Sequence, residues 1–309
     1  VVEQRNAQSD VFHVFRLCVD NAGMPVCLPE PSPTPLKPWQ ANLAMQFARR
    51  DDGTILAASC HEGPLRIQKA LYPEGRDICH AIVLHPPAGI AGGDELSIAV
   101  GVAAGAHALL TTPGAGKWYR SAGPWAAQAL DFELADDAVL EWLPQETIVF
   151  DGARGRLASR VRLGSGARYL GWEVLCLGRR AAGETFDRGE LLLQSRIEQR
   201  GKTLWLERGS LVGGDPLLGS AVGLAGNSVC ATLLAAGSEV DAGLVSACRE
   251  AVPGEAGARH GLTVLPGLLI ARYLGHSSEA ARAWFSQLWH LLRPALLGRE
   301  AIPPRIWNT

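Results

Sequence analysis

Long hydrophobic runs are missing from this sequence. Spanning a bilayer takes about 18 or more consecutive apolar residues, and no such run occurs, so no membrane partner is expected. The apolar patch from Val11 to Val19 is broken by His13 and Arg16 and is too short to read as a signal peptide. An excess of either charge is also missing: 29 Lys and Arg stand against 31 Asp and Glu, for a net charge of −2. Nothing here would neutralise a phosphate backbone, so nucleic acid is not an expected partner. Cysteine pairs with metal-site or redox spacing are absent. The seven cysteines (Cys18, Cys27, Cys60, Cys79, Cys176, Cys230 and Cys248) contain no CxxC, and they read as reduced thiols of a cytoplasmic protein. Aromatic residues are scarce, at 6%.

Glycine is plentiful, with 35 residues spread along the chain, as a protein with many tight turns requires. Apolar residues make up 47% of the 309, which is globular composition. Residues 1–36 stand apart. The stretch PEPSPTPLKP places five prolines between Pro29 and Pro38, so this segment reads as a poorly ordered extension. Residues 37–220 read as a β-rich body. Leu96, Ile98, Val100 and Val102 alternate with small or polar residues, as do Leu130, Phe132 and Leu134, then Leu157, Val161 and Leu163, then Leu191, Leu193 and Ile197. Period two with one apolar face marks half-buried strands. Residues 221–309 read as an α+β lobe packed on that body. A strand is expected over Val229–Ala235, a short helix capped by Asp241, two strands around the Pro266-Gly267 turn, and a helix capped by Ser277. The apolar face of that last helix is Ala281, Trp284, Phe285, Leu288 and Leu292. The fold class expected is mainly β: stacked strands, β-helix-like or sandwich, with no exact repeat in the sequence.

Familiar catalytic motifs fail on inspection. PGAGKWYRS has Gly116-Lys117, but Trp118 stands where a phosphate loop needs a hydroxyl, and Thr111 stands in place of the first glycine. No G-x-S-x-G and no H-E-x-x-H occurs. Cys60, His61, Cys79, His80 and His85 are the densest group of soft ligand types. Neighbours on a strand point to opposite faces, so Cys60 and His61 do not easily serve one ion.

Acids inside apolar strands are the most informative feature. Glu173 lies in YLGWEVLCL, apolar on both faces, and Glu141 shares a strand face with Val139 and Leu143. A buried carboxylate needs compensation. Three kinds remain open: an ion pair with Arg179, Arg180 or another arginine; a water-lined passage or interface that needs oxygen ligands, which fits a divalent cation in transit; or a general acid or base.

Several segments together resemble the urease accessory protein D family, called H in some bacteria. They are WLPQETIVFDGA (142–153), HPPAGIAGGD (85–94), GAHALLTTPGAGKWYRS (105–121), LGWEVLCLGRRAAGE (170–184) and HEGPLRIQKALYPEG (61–75), with LIARYLG, EAARAWFSQLW and LRPALLGR near the end. The likeness is colinear from Trp39 to Thr309. Ala88 stands where the family often has glycine, and Gly116 where it has a hydroxyl residue. The resemblance implies a non-catalytic scaffold of stacked strands with no permanently bound cofactor. It implies binding to urease apoprotein and to accessory protein F, through F to the GTPase G, and nickel in transit to the urease active site. Under that resemblance Glu173 is the first candidate for lining a nickel path, followed by Glu141, Glu146, Asp94 and Asp151. Asp94 and Asp151 beside glycine are equally read as turn formers. Trp118, Tyr119, His85, Gly92 and Gly93 are candidates for partner contact, with plain packing as the alternative. The competing reading is a metal-dependent hydrolase with His61, His80 or His85 as ligands and Glu173 as base.

Overall fold

The computed structural model describes residues 38–308 apart from Asp52, together with two short strands near the start. The extension expected over residues 1–36 otherwise lies outside the described residues. In chain order the strands are β1 (Cys18–Val19), β2 (Pro25–Val26), β3 (Gln40–Arg50), β4 (Gly53–Glu62), β5 (Arg66–Ile67), β6 (Ile78–Leu84), β7 (Glu95–Val102), β8 (His107–Thr111), β9 (Gly116–Trp118) and β10 (Ala126–Leu134). They continue with β11 (Val139–Trp142), β12 (Thr147–Val149), β13 (Arg154–Leu163), β14 (Arg168–Leu177), β15 (Glu190–Gln199), β16 (Lys202–Val212), β17 (Val229–Ala236), β18 (Arg259–Leu265) and β19 (Leu268–Gly275). The α-helices are α1 (Pro216–Gly219), α2 (Ala242–Glu250) and α3 (Ser278–Leu297). Strands β1 and β2 pair only with each other, in the unit Val1–Lys37; all the rest belongs to the unit Pro38–Thr309.

From β6 to β15 the chain passes back and forth between two sheets, laying down one coil after another. One sheet runs β16-β15-β13-β10-β7-β3-β4, and the other runs β18-β19-β17-β14-β11-β8-β6-β5. Strands of successive coils lie parallel: β3, β7, β10, β13 and β15 in the first sheet, and β6, β8, β11 and β14 in the second. The fold is therefore stacked, solenoid-like β coils, with a C-terminal helix. The apolar halves of the alternating strands meet between the sheets. Leu96, Ile98, Phe132, Leu157, Val161 and Ile197 all sit in that core.

The last strands do not start a new sheet. Strand β17 pairs antiparallel with β14, β19 with β17, and β18 with β19, so they extend the second sheet. Helix α3 then covers that sheet's outer face. Ser277 accepts from the Ala280 amide at its start, and Ala281, Trp284, Phe285, Leu288 and Leu292 are buried along it. The second sheet is thus covered on both faces, which explains why β14 is apolar on both. Among the described residues no helix is long and apolar enough to cross a membrane.

Candidate functional site

Strand β14 divides its side chains between two environments. Leu170, Trp172 and Val174 turn toward α3, and Tyr169, Leu175 and Leu177 turn toward the first sheet. Glu173 shares the second face and lines a cavity of about 700 Å³ between the sheets. Glu173 is exposed to water, which it meets in this cavity, although protein atoms crowd around it. No hydrogen bond or ion pair reaches it from any described residue. Burial pushes its pKa up to about 7, and the charge of Glu207 on β16 adds to the shift. Glu207 itself is held by Arg272 of β19 at 2.7 Å, and Arg272 also reaches the Thr232 hydroxyl at 3.3 Å. Cys230 lies one step along the same face of β17, its thiol pushed up to about 12 by burial and then by Glu173. The cavity extends along the stack of coils. Glu173, Glu207 and Arg272 line its later part, and His85, Lys117 and Gln145 its earlier part.

Glu141 occupies the opposite face of the same sheet. In the parallel register of β11 with β14 it stands beside Leu170, so it points toward α3 and away from the cavity. It is fully buried and saturated with donors. Trp289 Nε1 donates to it at 2.6 Å, Arg293 Nε at 3.0 Å and Arg293 Nη2 at 3.0 Å, and His107 Nε2 lies 2.7 Å away. Arg293 also grips Glu74 at 2.6 and 2.8 Å, and Glu74 meets His80 at 2.6 Å. Burial alone would raise the Glu141 carboxyl. The His107 hydrogen bond, with the pull of His107 and Arg293, overrides burial and holds the group at about 2. Among the compensations open at the sequence level, Glu141 therefore has the ion pair, with Arg293 as partner in place of Arg179 or Arg180. Glu173 has no ion-pair partner among the described residues and faces the cavity.

The other acids singled out from sequence also have structural partners. Asp94 accepts from the amides of Trp39 and Ala91, each at 2.8 Å, closing the turn before β7. Asp151 accepts from the Asp187 and Arg188 amides at 3.1 and 2.8 Å and from Arg188 Nε at 3.0 Å, tying its turn to the approach to β15. Glu146 pairs with Arg282 of α3 at 3.2 Å. None of these three lines the cavity.

Of the residues expected to contact a partner, Trp118 is in the core at 2% exposure, where a Cβ on Gly155 would overlap its ring. That corrects the contact expectation: β9 turns this indole inward. Tyr119 is partly exposed and packs on Gly89 and edge-to-face on Phe150 at 5.1 Å. Gly92 lies against Ser121 and Gly93 (φ +98°) against Pro38, so both serve close backbone approach. His85 lines the cavity with a buried Nε2 that has no hydrogen-bond partner. The hydrolase ligands are not assembled: His80 is engaged by Glu74, and His61 is on β4 in the other sheet. Among the described residues no group of three or more His, Cys, Asp or Glu is placed to hold a metal ion.

A family profile described as UreD urease accessory protein matches residues 40–308. The chain belongs to the UreD family. A urease accessory protein UreD of Dechloromonas aromatica (strain RCB) is 55% identical over 289 residues, 93% of this chain and 99% of that protein. A UreD of Azoarcus sp. (strain BH72) is 57% identical over 271 residues, 88% and 94% of the two chains. One from Janthinobacterium sp. (strain Marseille) is 49% identical over 271 residues, 87% and 92%. The UreD match begins at the first residue of β3 and takes in both sheets and α3. Residues that sequence reasoning missed in this UreD family member are Glu207, Arg272 and Arg293. Arg293 carried a readable signal, being an arginine at the spacing of α3's apolar face, one turn beyond Trp289.

Proposed function

We propose that this chain is a non-catalytic assembly factor of urease maturation that hands nickel along the gap between its two sheets. In this reading it works in the cytoplasm, where it binds urease apoprotein and accessory protein F and, through F, the GTPase G. Family membership supports the urease role. The observation that carries the nickel role is Glu173, a water-exposed carboxyl on the wall of a cavity of about 700 Å³, with no hydrogen-bond or ion-pair partner among the described residues. An oxygen ligand without a surrounding cage binds a divalent cation weakly enough to release it. Its raised pKa makes proton and metal compete near neutral pH, which favours release further. Glu141, Glu146, Asp94 and Asp151 hold the frame around that route.

The test is activation of urease in cells lacking this chain, with the wild type or Glu173→Gln restored. The expected result is that Glu173→Gln still co-purifies with urease apoprotein while the nickel content and activity of the urease fall. Full activation by Glu173→Gln would remove the conduit and leave a docking platform.

A further inference from the structure

The outer face of the first sheet carries an arrangement that the nickel route does not use. Strand β13 sends four arginines to that face: Arg154, Arg156, Arg160 and Arg162. Two are neutralised by neighbouring strands. Arg160 meets Glu198 at 2.8 Å, and Arg162 meets Asp131 at 2.7 Å and Glu133 at 3.3 Å. The other two are treated differently. Arg154 and Arg156 both lie over the indole of Trp125, each guanidinium carbon 4.7 Å from the ring centroid. Glu190 stands beside Arg154 in register, and Ala127 and Leu192 flank Arg156. Among the described residues no carboxylate forms an ion pair with either arginine.

Two like charges on one ring repel, and the ring quadrupole offsets only part of that. A carboxylate bridging the two guanidiniums would relieve the repulsion with charge-assisted, bidentate bonds. The platform is also fixed in advance. Gly123 donates to Ser121 Oγ at 3.0 Å, Ser121 Oγ donates to the Pro124 carbonyl at 2.5 Å, and Arg154 Nη1 donates to the Gly123 carbonyl at 2.7 Å. The loop presenting Trp125 therefore loses little freedom on binding, which favours affinity. Arginine and tryptophan are the residues enriched at interface hot spots.

We propose that Trp125, Arg154 and Arg156 form a docking point for an acidic segment of a partner protein, engaged through its carboxylates. This rests on the assembly-factor reading and names the chemistry of one of its contacts. The occupant is a carboxylate-bearing protein surface; neutral or basic surfaces would leave both guanidiniums without a counter-charge.

Two measurements test it on the full chain. The first is fluorescence anisotropy of a labelled deca-glutamate peptide against the wild type and Arg154→Gln/Arg156→Gln. The expected result is affinity about tenfold or more weaker in the double variant, with an unchanged thermal melt. Equal affinity, or tighter binding of an RNA oligonucleotide of similar charge than of the peptide, overturns the proposal. The second is co-purification with co-expressed urease apoprotein and accessory proteins F and G. Loss of at least one of these proteins from Arg154→Glu/Arg156→Glu, with Arg154→Lys/Arg156→Lys intermediate, supports the docking point. Unaltered recovery of all of them with the glutamate variant overturns it. A wild type that recovers none of them counts against the assembly-factor reading instead, and the peptide measurement still decides the patch.

Discussion

Two glutamates of one sheet show how strongly surroundings govern a side chain. Glu141 is held at about 2 by its donors, so its folded pKa lies below the unfolded value of 4.5. Such a group contributes stability above the unfolded pKa, and that stability is lost as pH falls from about 4.5 toward 2. Glu141→Gln leaves Arg293 with one fewer carboxylate in a sealed site. We expect it to cost about 3–5 kcal/mol in urea unfolding at pH 7, with the difference from wild type shrinking in acid. Glu173 has the opposite sign. Its folded pKa of about 7 lies above the unfolded value, so its contribution is fully present below about pH 4.5 and is lost as pH rises through 7. Glu173→Gln should therefore melt at the wild-type temperature at pH 4 and at a higher temperature than wild type at pH 8. A lower melting temperature at pH 8 would show that the carboxylate has an unseen stabilising partner.

At the scale of elements, turns and helix ends hold the coils in place. The loop over residues 85–94 places Ala88 at φ +58°, a left-handed conformation that costs a side-chain-bearing residue about 1–2 kcal/mol. Glycine avoids that cost and gives back about 0.5–1 kcal/mol in unfolded-state entropy. Ala88→Gly should raise stability by up to about 1 kcal/mol in urea unfolding, and a loss would mean that the alanine methyl makes a contact of greater value. Helix α3 was readable in outline: the Ser277 cap and the apolar stripe from Ala281 to Leu292 sit as their spacing predicts. So were the alternating strands β7, β10 and β13. The sequence did not reveal that α3 carries Trp289 and Arg293 onto Glu141, because those contacts join residues 148 and 152 positions apart.

Across the whole molecule, protection should follow the order of strands in the sheets. Strands β8, β11 and β14 have neighbours on both edges and cover on both faces, whereas β4, β16 and β18 end their sheets. Hydrogen exchange should be slowest in the first group and fastest in the second. Uniform exchange across both would mean that the stack opens only as a unit.

The sequence by itself determined the β character, the helix caps, the family, and the fact that Glu141 and Glu173 are acids set in apolar strands. Those properties reside in local periodicity and in motif order along the chain. Only the tertiary structure decided which acid is locked and which is free. Side chains alternate across a sheet, so the face each acid takes depends on the register of its coil with the next. That register put Glu141 under Arg293 and opened Glu173 to the space between the sheets.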